Sequence, residues 1–221
     1  MQSVHLSMEA LQELFDFFTR ANVVAKDISE IVLAVEKGCL ETGQIGILGD
    51  KNMILETERL YLREMNQCDF KSLCKILQDE ETMVAYEGAF SDSEAQEWLD
   101  RQIFRYEKWG FGLWAVILKQ TNEMIGQCGL TMQPWKDKEV LEIGYLFARL
   151  YWHKGYAIEA AAACKKYAFE ELKADEVCSI IRDTNTASQN VALKNGMAIV
   201  DTWTKHYRGV DMPHFRYVAY H

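Results

Sequence analysis

The chain has 221 residues, of which 49% are hydrophobic and 26% are charged, and its formal net charge is −9. This balance is typical of a globular protein with one domain and an appendage, or with two small domains. The negative charge disfavours direct binding of nucleic acid, which depends on clustered lysine and arginine. No apolar run approaches the ~20 residues of a membrane span, so we also expect no membrane partner.

The first 50 residues predict two amphipathic helices and a linker. The segments "LSMEALQELFDFFTRA" and "KDISEIVLAVEKG" each place their apolar residues on one helical stripe. Glycines at 43, 46 and 49 then indicate a linker. We therefore expect a helical extension over residues 1–50 and a main domain over residues 51–221. The extension is interpreted as a packing appendage or, alternatively, as a separate ligand-binding module. A homodimer is one way for it to bury its apolar faces.

From Met53 onward, strand and helix patterns alternate. We predict a strand in "ILETERLYLREM", helices in "QCDFKSLCKILQD" and "SDSEAQEWLDRQIFRYEKWG", two strands in "LWAVILKQTNEMIGQCGLTM" and another in "KEVLEIGYLFA". A long helix over Gly155–Leu172, a strand in "EVCSIIR", a short helix in "TASQNVALKNG" and a closing hairpin follow. The order is one strand, two helices, three strands, helix, strand, helix and two strands, a mixed α and β domain.

The cysteines and histidines are dispersed rather than clustered. None of the six cysteines forms a CxxC pair, and the five histidines have no neighbouring ligands at metal-site spacing. We therefore expect no metal site. The N-terminal segment lacks the basic region of a signal peptide, so we expect reduced thiols and a cytoplasmic location.

The segment Trp152–Ala157 joins a predicted strand to the long helix. Gly155 has no Cβ, so a ligand can approach its backbone closely. The helix that begins there offers unpaired N–H groups and a partial positive charge, and Lys154 adds a cation, which together suit a pyrophosphate. A tight turn without a ligand would show the same pattern, and the turn alone does not separate these two interpretations.

The block "YWHKGYAIEAA" after "LEIGYLF" resembles the acetyl-CoA loop of the GNAT superfamily of N-acyltransferases, in the branch of the ribosomal-protein N-terminal acetyltransferases. Three further blocks, "ETERLYLRE", "IGQCGL" and "NTASQNVALKNGM", resemble the same branch in the same order. The resemblance covers Met53–His221. It implies the GNAT fold, a mixed and mostly antiparallel sheet flanked by helices. It also implies metal-free acetyl transfer from acetyl-CoA to a primary amine. His153 departs from the branch, which has glycine there, and histidine is costly if the position needs a positive φ.

The resemblance implies a site for the co-substrate acetyl-CoA. The backbone of Tyr145–Phe147 would pair with the pantetheine arm and aim an amide at the thioester oxygen, and Asn185 would contact the arm or hold a water. The turn would hold the pyrophosphate. The implied cofactor-binding residues are Tyr145, Leu146, Phe147, His153, Lys154, Gly155, Tyr156, Ala157 and Asn185.

The catalytic residues implied by the resemblance are Glu142, Ser188 and Asn185. Glu142 would be the general base for direct attack in a ternary complex, or alternatively a carboxylate paired with an arginine of a neighbouring strand. By spacing, Ala192 occupies the position of the tyrosine that many superfamily members use as an acid. Ser188 would replace that tyrosine, or alternatively cap its helix.

Candidate residues for the acceptor side are Tyr86, Glu87 and Trp135. Trp135, which follows Pro134 in a predicted loop, would form a wall of the cleft, and Glu87 would bind a cationic substrate or be an ordinary surface glutamate. The acceptor is a protein N-terminal α-amine or a small cationic amine, and the acidic net charge suits both. The alternative function is a non-catalytic acyl-CoA-binding or regulatory module.

Overall fold

The computed structural model describes residues 53–221, so the two helices predicted in residues 1–50 lie outside the described residues. Eight strands of the described range form one sheet in the order β1-β2-β3-β4-β5-β6-β8-β7. The strands are β1 (Met53–Glu56), β2 (Leu60–Arg63), β3 (Leu113–Leu118), β4 (Glu123–Trp135), β5 (Lys138–Phe147), β6 (Glu176–Arg182), β7 (Ala198–Tyr207) and β8 (Val210–Tyr220). The α-helices are α1 (Phe70–Leu77), α2 (Asp92–Trp109), α3 (Tyr156–Glu170) and α4 (Thr186–Lys194). This mixed, mostly antiparallel sheet with flanking helices confirms the predicted fold class.

Strand β3 runs through the middle of the core, and all of its residues are buried. Its side chains enter two different apolar clusters. Trp114 and Val116 pack in the cluster that contains α3, whereas Ala115 and Ile117 pack in the cluster that contains α1 and α2. Because side chains alternate across a strand, α1 and α2 cover one face of the sheet and α3 covers the other.

The first predicted strand is in fact two strands. β1 and β2 pair antiparallel, with Glu56 opposite Tyr61. Between them, Thr57 closes a tight turn: its N–H donates to the carbonyl oxygen of Leu60 at 2.9 Å, and its hydroxyl oxygen accepts the N–H of Leu60 at 3.0 Å. The prediction of one continuous strand was wrong because "ETER" contains no glycine or proline, and a threonine hydroxyl supplies the turn chemistry instead.

Strands β5 and β6 form the one parallel pair among the described strands, and they diverge. Only one residue of β5 is paired with β6, namely Glu142 opposite Cys178. In contrast, β5 pairs with β4 along its whole length. Just beyond that pair, the Ser179 hydroxyl donates to the carbonyl oxygen of Ile143 at 2.9 Å. The backbone of β5 after Ile143 therefore has no strand partner on its β6 side.

Four described cysteines are free thiols, namely Cys74, Cys128, Cys164 and Cys178. Cys68 is in a disulfide, so the expectation that every thiol is reduced was wrong for this residue. Sequence spacing could not reveal it, because a disulfide depends on the distance between two positions in the fold.

Two further features of the described residues concern membranes and metals. Within residues 53–221, no helix is long and apolar enough to cross a membrane. The same range contains no group of three or more histidine, cysteine, aspartate and glutamate side chains placed to hold a metal ion.

Candidate active site

The turn between β5 and α3 presents free backbone N–H groups. Helix α3 begins at Tyr156, and no side chain caps it, because the preceding residue is Gly155. The N–H of Glu159 donates to the carbonyl oxygen of Gly155 at 3.1 Å. The N–H groups of Tyr156 and Ala157 precede that bond and have no acceptor within the helix. The turn thus has the form that an anion site at a helix N-terminus requires.

Two residues of this turn have left-handed backbone conformations. Gly155 has φ +81° and His153 has φ +60°. A positive φ explains why the resembling branch has glycine at the position of His153, since only glycine adopts this region without a steric cost. Histidine adopts it more readily than β-branched residues do, so the turn keeps its conformation with His153 in place.

Side chains beside the turn tie it to the end of β5. The Trp152 indole N–H donates to the carbonyl oxygen of Phe147 at 2.7 Å, which occupies one of the two lone pairs of this carbonyl. The Lys154 ammonium lies 5.3 Å from the centroid of the Tyr151 ring. Lys154 is exposed and has no ion-pair partner among residues 53–221, which leaves its charge available to a bound anion.

Two residues that stabilise the turn, Arg59 and Glu159, were not predicted from the sequence. Glu159 accepts hydrogen bonds from the Thr57 hydroxyl at 2.6 Å and from the Arg59 N–H and Nε at 2.9 and 2.6 Å. Arg59 also donates to the carbonyl oxygen of Lys154 at 2.9 Å, and its guanidinium carbon lies 4.5 Å from the Tyr156 ring centroid. Burial raises the pKa of Glu159, but these hydrogen bonds outweigh it and the net shift is downward. The signal was present as an arginine in "ETERLYLRE" and a glutamate in "YAIEAA".

Replacing Arg59 with methionine is expected to weaken acetyl-CoA binding about fivefold, because the variant frees the Lys154 carbonyl and loosens the turn by about 1 kcal/mol. The expected loss of affinity is small because the Arg59 side chain is 42% exposed, and water weakens its ion pair. Glu159→Gln should have a similar effect, and the double variant should be no worse than either single variant, since both act through one contact. Calorimetric titration measures the affinity. Lys138→Met, which breaks an ion pair at the opposite end of β5, is the control, and additive losses would contradict the shared role.

Glu142 lies where β5 and β6 diverge, on the sheet face that carries α1 and α2. Its carboxylate accepts hydrogen bonds from the Ile180 N–H at 3.1 Å and from the Thr131 hydroxyl at 3.5 Å. Burial raises the pKa of Glu142, and these hydrogen bonds together with the charges of Lys205 and Arg105 oppose the increase without cancelling it. No arginine of a neighbouring strand forms an ion pair with it within residues 53–221, so that alternative interpretation of Glu142 was wrong.

The first turn of α4 contacts β5 where β5 and β6 have diverged. Asn185 is the N-cap, and its side-chain oxygen accepts the Ser188 N–H at 3.1 Å. The cap is therefore Asn185, and the alternative in which Ser188 caps the helix was wrong. The Tyr145 hydroxyl donates to the carbonyl oxygen of Ser188 at 2.9 Å, and burial raises the pKa of this phenol far above its ordinary value. Ala192 is buried in the core.

Two of the predicted acceptor-side residues lie close together. The Tyr86 ring makes edge-on contacts with Phe90 and Trp98, at centroid distances of 6.1 and 5.7 Å. The adjacent Glu87 forms an ion pair with Arg182. Because this arginine already neutralises the Glu87 carboxylate, Glu87 has no spare charge for a cationic substrate.

Trp135 does not lie in a loop. It is the last residue of β4, its side chain is only 1% exposed, and its ring packs edge-on against Trp203 with centroids 5.7 Å apart. The indole N–H donates to an Asp201 carboxylate oxygen at 2.9 Å. The prediction that Trp135 forms a wall of the acceptor cleft was therefore wrong, because β7 covers the ring.

Comparisons with known proteins agree with this arrangement. The model of the family described as "acetyltransferase (GNAT) domain" matches residues 59–198. The uncharacterized protein YkkB of Bacillus subtilis is 37% identical over 155 residues, which cover 68% of this chain and 90% of that protein. The structure of a GNAT-family acetyltransferase from Bacillus anthracis superposes with a TM-score of 0.65 at 24% identity, covering 75% of this chain and 97% of that one. A RimL ribosomal L7/L12 alpha-N-protein acetyltransferase in complex with coenzyme A superposes with a TM-score of 0.63 at 16% identity, covering 76% and 97%.

Proposed function

Because the chain belongs to the GNAT family of acetyltransferases, we propose that it transfers an acetyl group from acetyl-CoA to a primary amine by direct attack in a ternary complex. The observation that carries this proposal is the position of Glu142. It is a partly buried carboxylate with a raised pKa, placed where β5 loses its strand partner and leads on to the anion turn.

The described residues fit acetyl-CoA. The helix that follows Gly155 has no side-chain cap, and its free N–H groups with the Lys154 ammonium would hold the pyrophosphate. The unpaired β5 edge offers the backbone of Tyr145 and Leu146 to the pantetheine arm. An N–H of this edge would donate to the thioester oxygen as negative charge develops there, which is worth several kcal/mol in other acyl transfers.

The attacking amine must lose a proton, and Glu142 would accept it. A lysine-like amine has a pKa near ~10.4 and an α-amine near ~7.7–8.0, so the first is about two units harder to deprotonate at neutral pH. A carboxylate whose pKa is raised towards the working pH is a better general base than an ordinary one. The ammonium form first releases one proton to solvent. The neutral nitrogen then bonds to the carbonyl carbon, a second proton moves from the nitrogen to Glu142, and the carbon–sulfur bond breaks to release the CoA thiolate.

The departing thiolate needs only a weak hydrogen-bond donor. A thiol has a pKa of ~8.5, so its anion is a tolerable leaving group. We propose the Ser188 hydroxyl for this contact, with Asn185 holding the first turn of α4 in place through its capping bond. A water molecule in the same position would serve equally well.

Replacing Lys154 with glutamate is expected to weaken acetyl-CoA binding about tenfold or more, because the change replaces an attraction for the pyrophosphate with a repulsion. Calorimetric titration with acetyl-CoA and with desulfo-CoA measures the affinity, and desulfo-CoA separates binding from turnover. Lys166→Glu, an exposed charge reversal on the same helix, is the control. Unchanged affinity in Lys154→Glu would contradict a pyrophosphate site at this turn.

The alternative, a non-catalytic acyl-CoA-binding module, makes a different prediction. Such a module would bind acetyl-CoA but transfer no acetyl group to any amine in a mass-spectrometric screen. The partly buried carboxylate of Glu142 argues against it, since a binding module gains nothing from an ionisable group in a poorly solvated place.

A further inference from the structure

Two cations from different elements face the Glu142 carboxylate. Arg105 is on α2 and Lys205 is on β7, and the charges of both act on Glu142 to lower its pKa. Glu142 acts in return on both of them. The geometry agrees with this. Arg105 bonds Gln102, whose side-chain oxygen also accepts the Leu113 N–H, and Leu113 lies against Gly144, two residues beyond Glu142 on the same face of β5. The Lys205 ammonium lies over Trp135, which is on the same strand and face as Thr131, the cross-strand partner of Glu142.

Apart from the Glu142 carboxylate that they face, neither cation has an acidic partner among the described residues. The guanidinium of Arg105 donates to the side-chain oxygen of Gln102, a neutral amide, at 3.1 Å. The Lys205 ammonium lies 5.8 and 5.6 Å from the ring centroids of Trp135 and Trp203. Within residues 53–221, neither side chain is in an ion pair. Both are partly buried, and burial lowers the pKa of each. The single carboxylate of Glu142 offsets one of the two charges, and a partly buried cation without a counter-ion is costly.

The predicted acceptor-side acid Glu87 is already paired with Arg182. The surroundings of Glu142 therefore carry an excess of positive charge, although the whole chain has a formal net charge of −9. The local charge, rather than the net charge, decides which ligand fits.

These observations lead beyond the nature of the reaction to the class of acceptor. We propose that the acceptor carries an anionic group beside its amine, and that Arg105 and Lys205 bind this group while Glu142 faces the amine. The inference rests on the proposed function. It replaces the cationic small amine that the acidic net charge suggested with an amino acid or a peptide N-terminus that has a nearby carboxylate.

A supporting role for the two cations does not explain them equally well. The single negative charge of Glu142 offsets only one of the two positive charges, so a role in keeping Glu142 ionised leaves the other charge without a counter-ion. With an anionic acceptor, both cations gain a counter-ion on binding.

Matched pairs of amines test the proposal in the full-length protein. One pair is L-leucine and L-leucinamide, which tests a free α-carboxylate. The second pair is the dipeptide amides Ser-Asp and Ser-Asn, which tests an acidic side chain next to an N-terminal amine. Spermidine is the cationic arm. We expect kcat/KM, expressed per unprotonated amine, to be about tenfold or more higher for the anionic member of at least one pair.

Variants connect the preference to the two residues. Arg105→Gln and Lys205→Gln should each remove about tenfold of the rate with the preferred anionic amine, chiefly through KM, and change the rate with its neutral counterpart less than about threefold. Acetyl-CoA affinity, measured by calorimetry, should stay unchanged. Lys108→Gln, which removes an exposed charge from the same helix, is the control. The double variant with glutamate at both positions should prefer spermidine.

The outcomes separate this inference from the proposed function. Transfer to amines with no preference for an anionic member, or with a preference for spermidine in the unaltered protein, would overturn the inference alone. An equal loss of rate with both members of a pair in Arg105→Gln and Lys205→Gln would do the same. Transfer to none of the amines, together with tight binding of acetyl-CoA, would overturn the proposed function and the inference with it.

Discussion

Replacing Glu142 with glutamine is expected to lower kcat/KM for acetyl transfer by about 100-fold or more at neutral pH, with acetyl-CoA affinity unchanged. Glutamine keeps the size of the side chain and an oxygen that accepts the Ile180 N–H, so the strand geometry is preserved. It cannot accept a proton, so the amine must lose its proton to water instead. Initial rates with saturating acetyl-CoA measure the effect.

The pH dependence gives a second test of the same role. A general base acts in its ionised form, so activity should rise with pH through the raised pKa of Glu142. The glutamine variant should lose this rise.

Stability should respond to pH in the opposite direction. Because the folded-state pKa of Glu142 is raised, its contribution to stability is fully present below the unfolded-state pKa and is lost as pH rises through the folded-state value. Glu142→Gln should therefore not lower the free energy of unfolding at pH 8.

Glu139→Gln, a change at an exposed position on the same strand, is the control for both the activity and the stability measurements. Wild-type turnover in Glu142→Gln would show that another group is the base.

Replacing Gly155 with valine is expected to reduce acetyl-CoA affinity about 100-fold. Gly155 has φ +81°, and a Cβ there would lie 3.3 Å from an Arg59 guanidinium nitrogen. A β-branched residue therefore forces the turn into another conformation, and the N–H groups of Tyr156 and Ala157 no longer converge on one anion. Calorimetric titration with acetyl-CoA measures the loss, and thermal unfolding measures the accompanying change in stability.

A control at another glycine separates the loss of the site from general strain. Gly110 has φ +74° and ends α2, and a Cβ at this position would have no other atom within 4 Å. Gly110→Val should lower the melting temperature as much as Gly155→Val does, but it should leave acetyl-CoA affinity intact. His153→Gly should keep the affinity and remove about 1 kcal/mol of backbone strain. Equal affinities in Gly155→Val and Gly110→Val would show that the turn does not bind the co-substrate.

The sequence alone predicted what depends on local backbone chemistry. A glycine before a helix needs no tertiary contact to be recognised, and "YWHKGYAIEAA" placed the turn where the structure has it. The segment "KEVLEIGYLFA" was predicted as a strand and contains β5. The order of the elements followed from their periods, apart from the hairpin at Thr57. The helical extension over residues 1–50 and a homodimer stay predictions.

The structure alone decided the surroundings of the side chains, because these depend on which distant strands and helices become neighbours. Trp135 looked like a loop residue until β7 supplied Trp203 and Asp201 to cover it. Arg59 and Glu159 meet only because β2 lies beside the start of α3.

The charge around the candidate base follows the same rule. Arg105 and Lys205 come from α2 and β7, and each is an ordinary surface cation in the sequence. Electrostatic energies depend on distance and burial. A chain with a net charge of −9 can therefore place positive charge around Glu142, and only the sheet order, which brings these elements together, shows that it does.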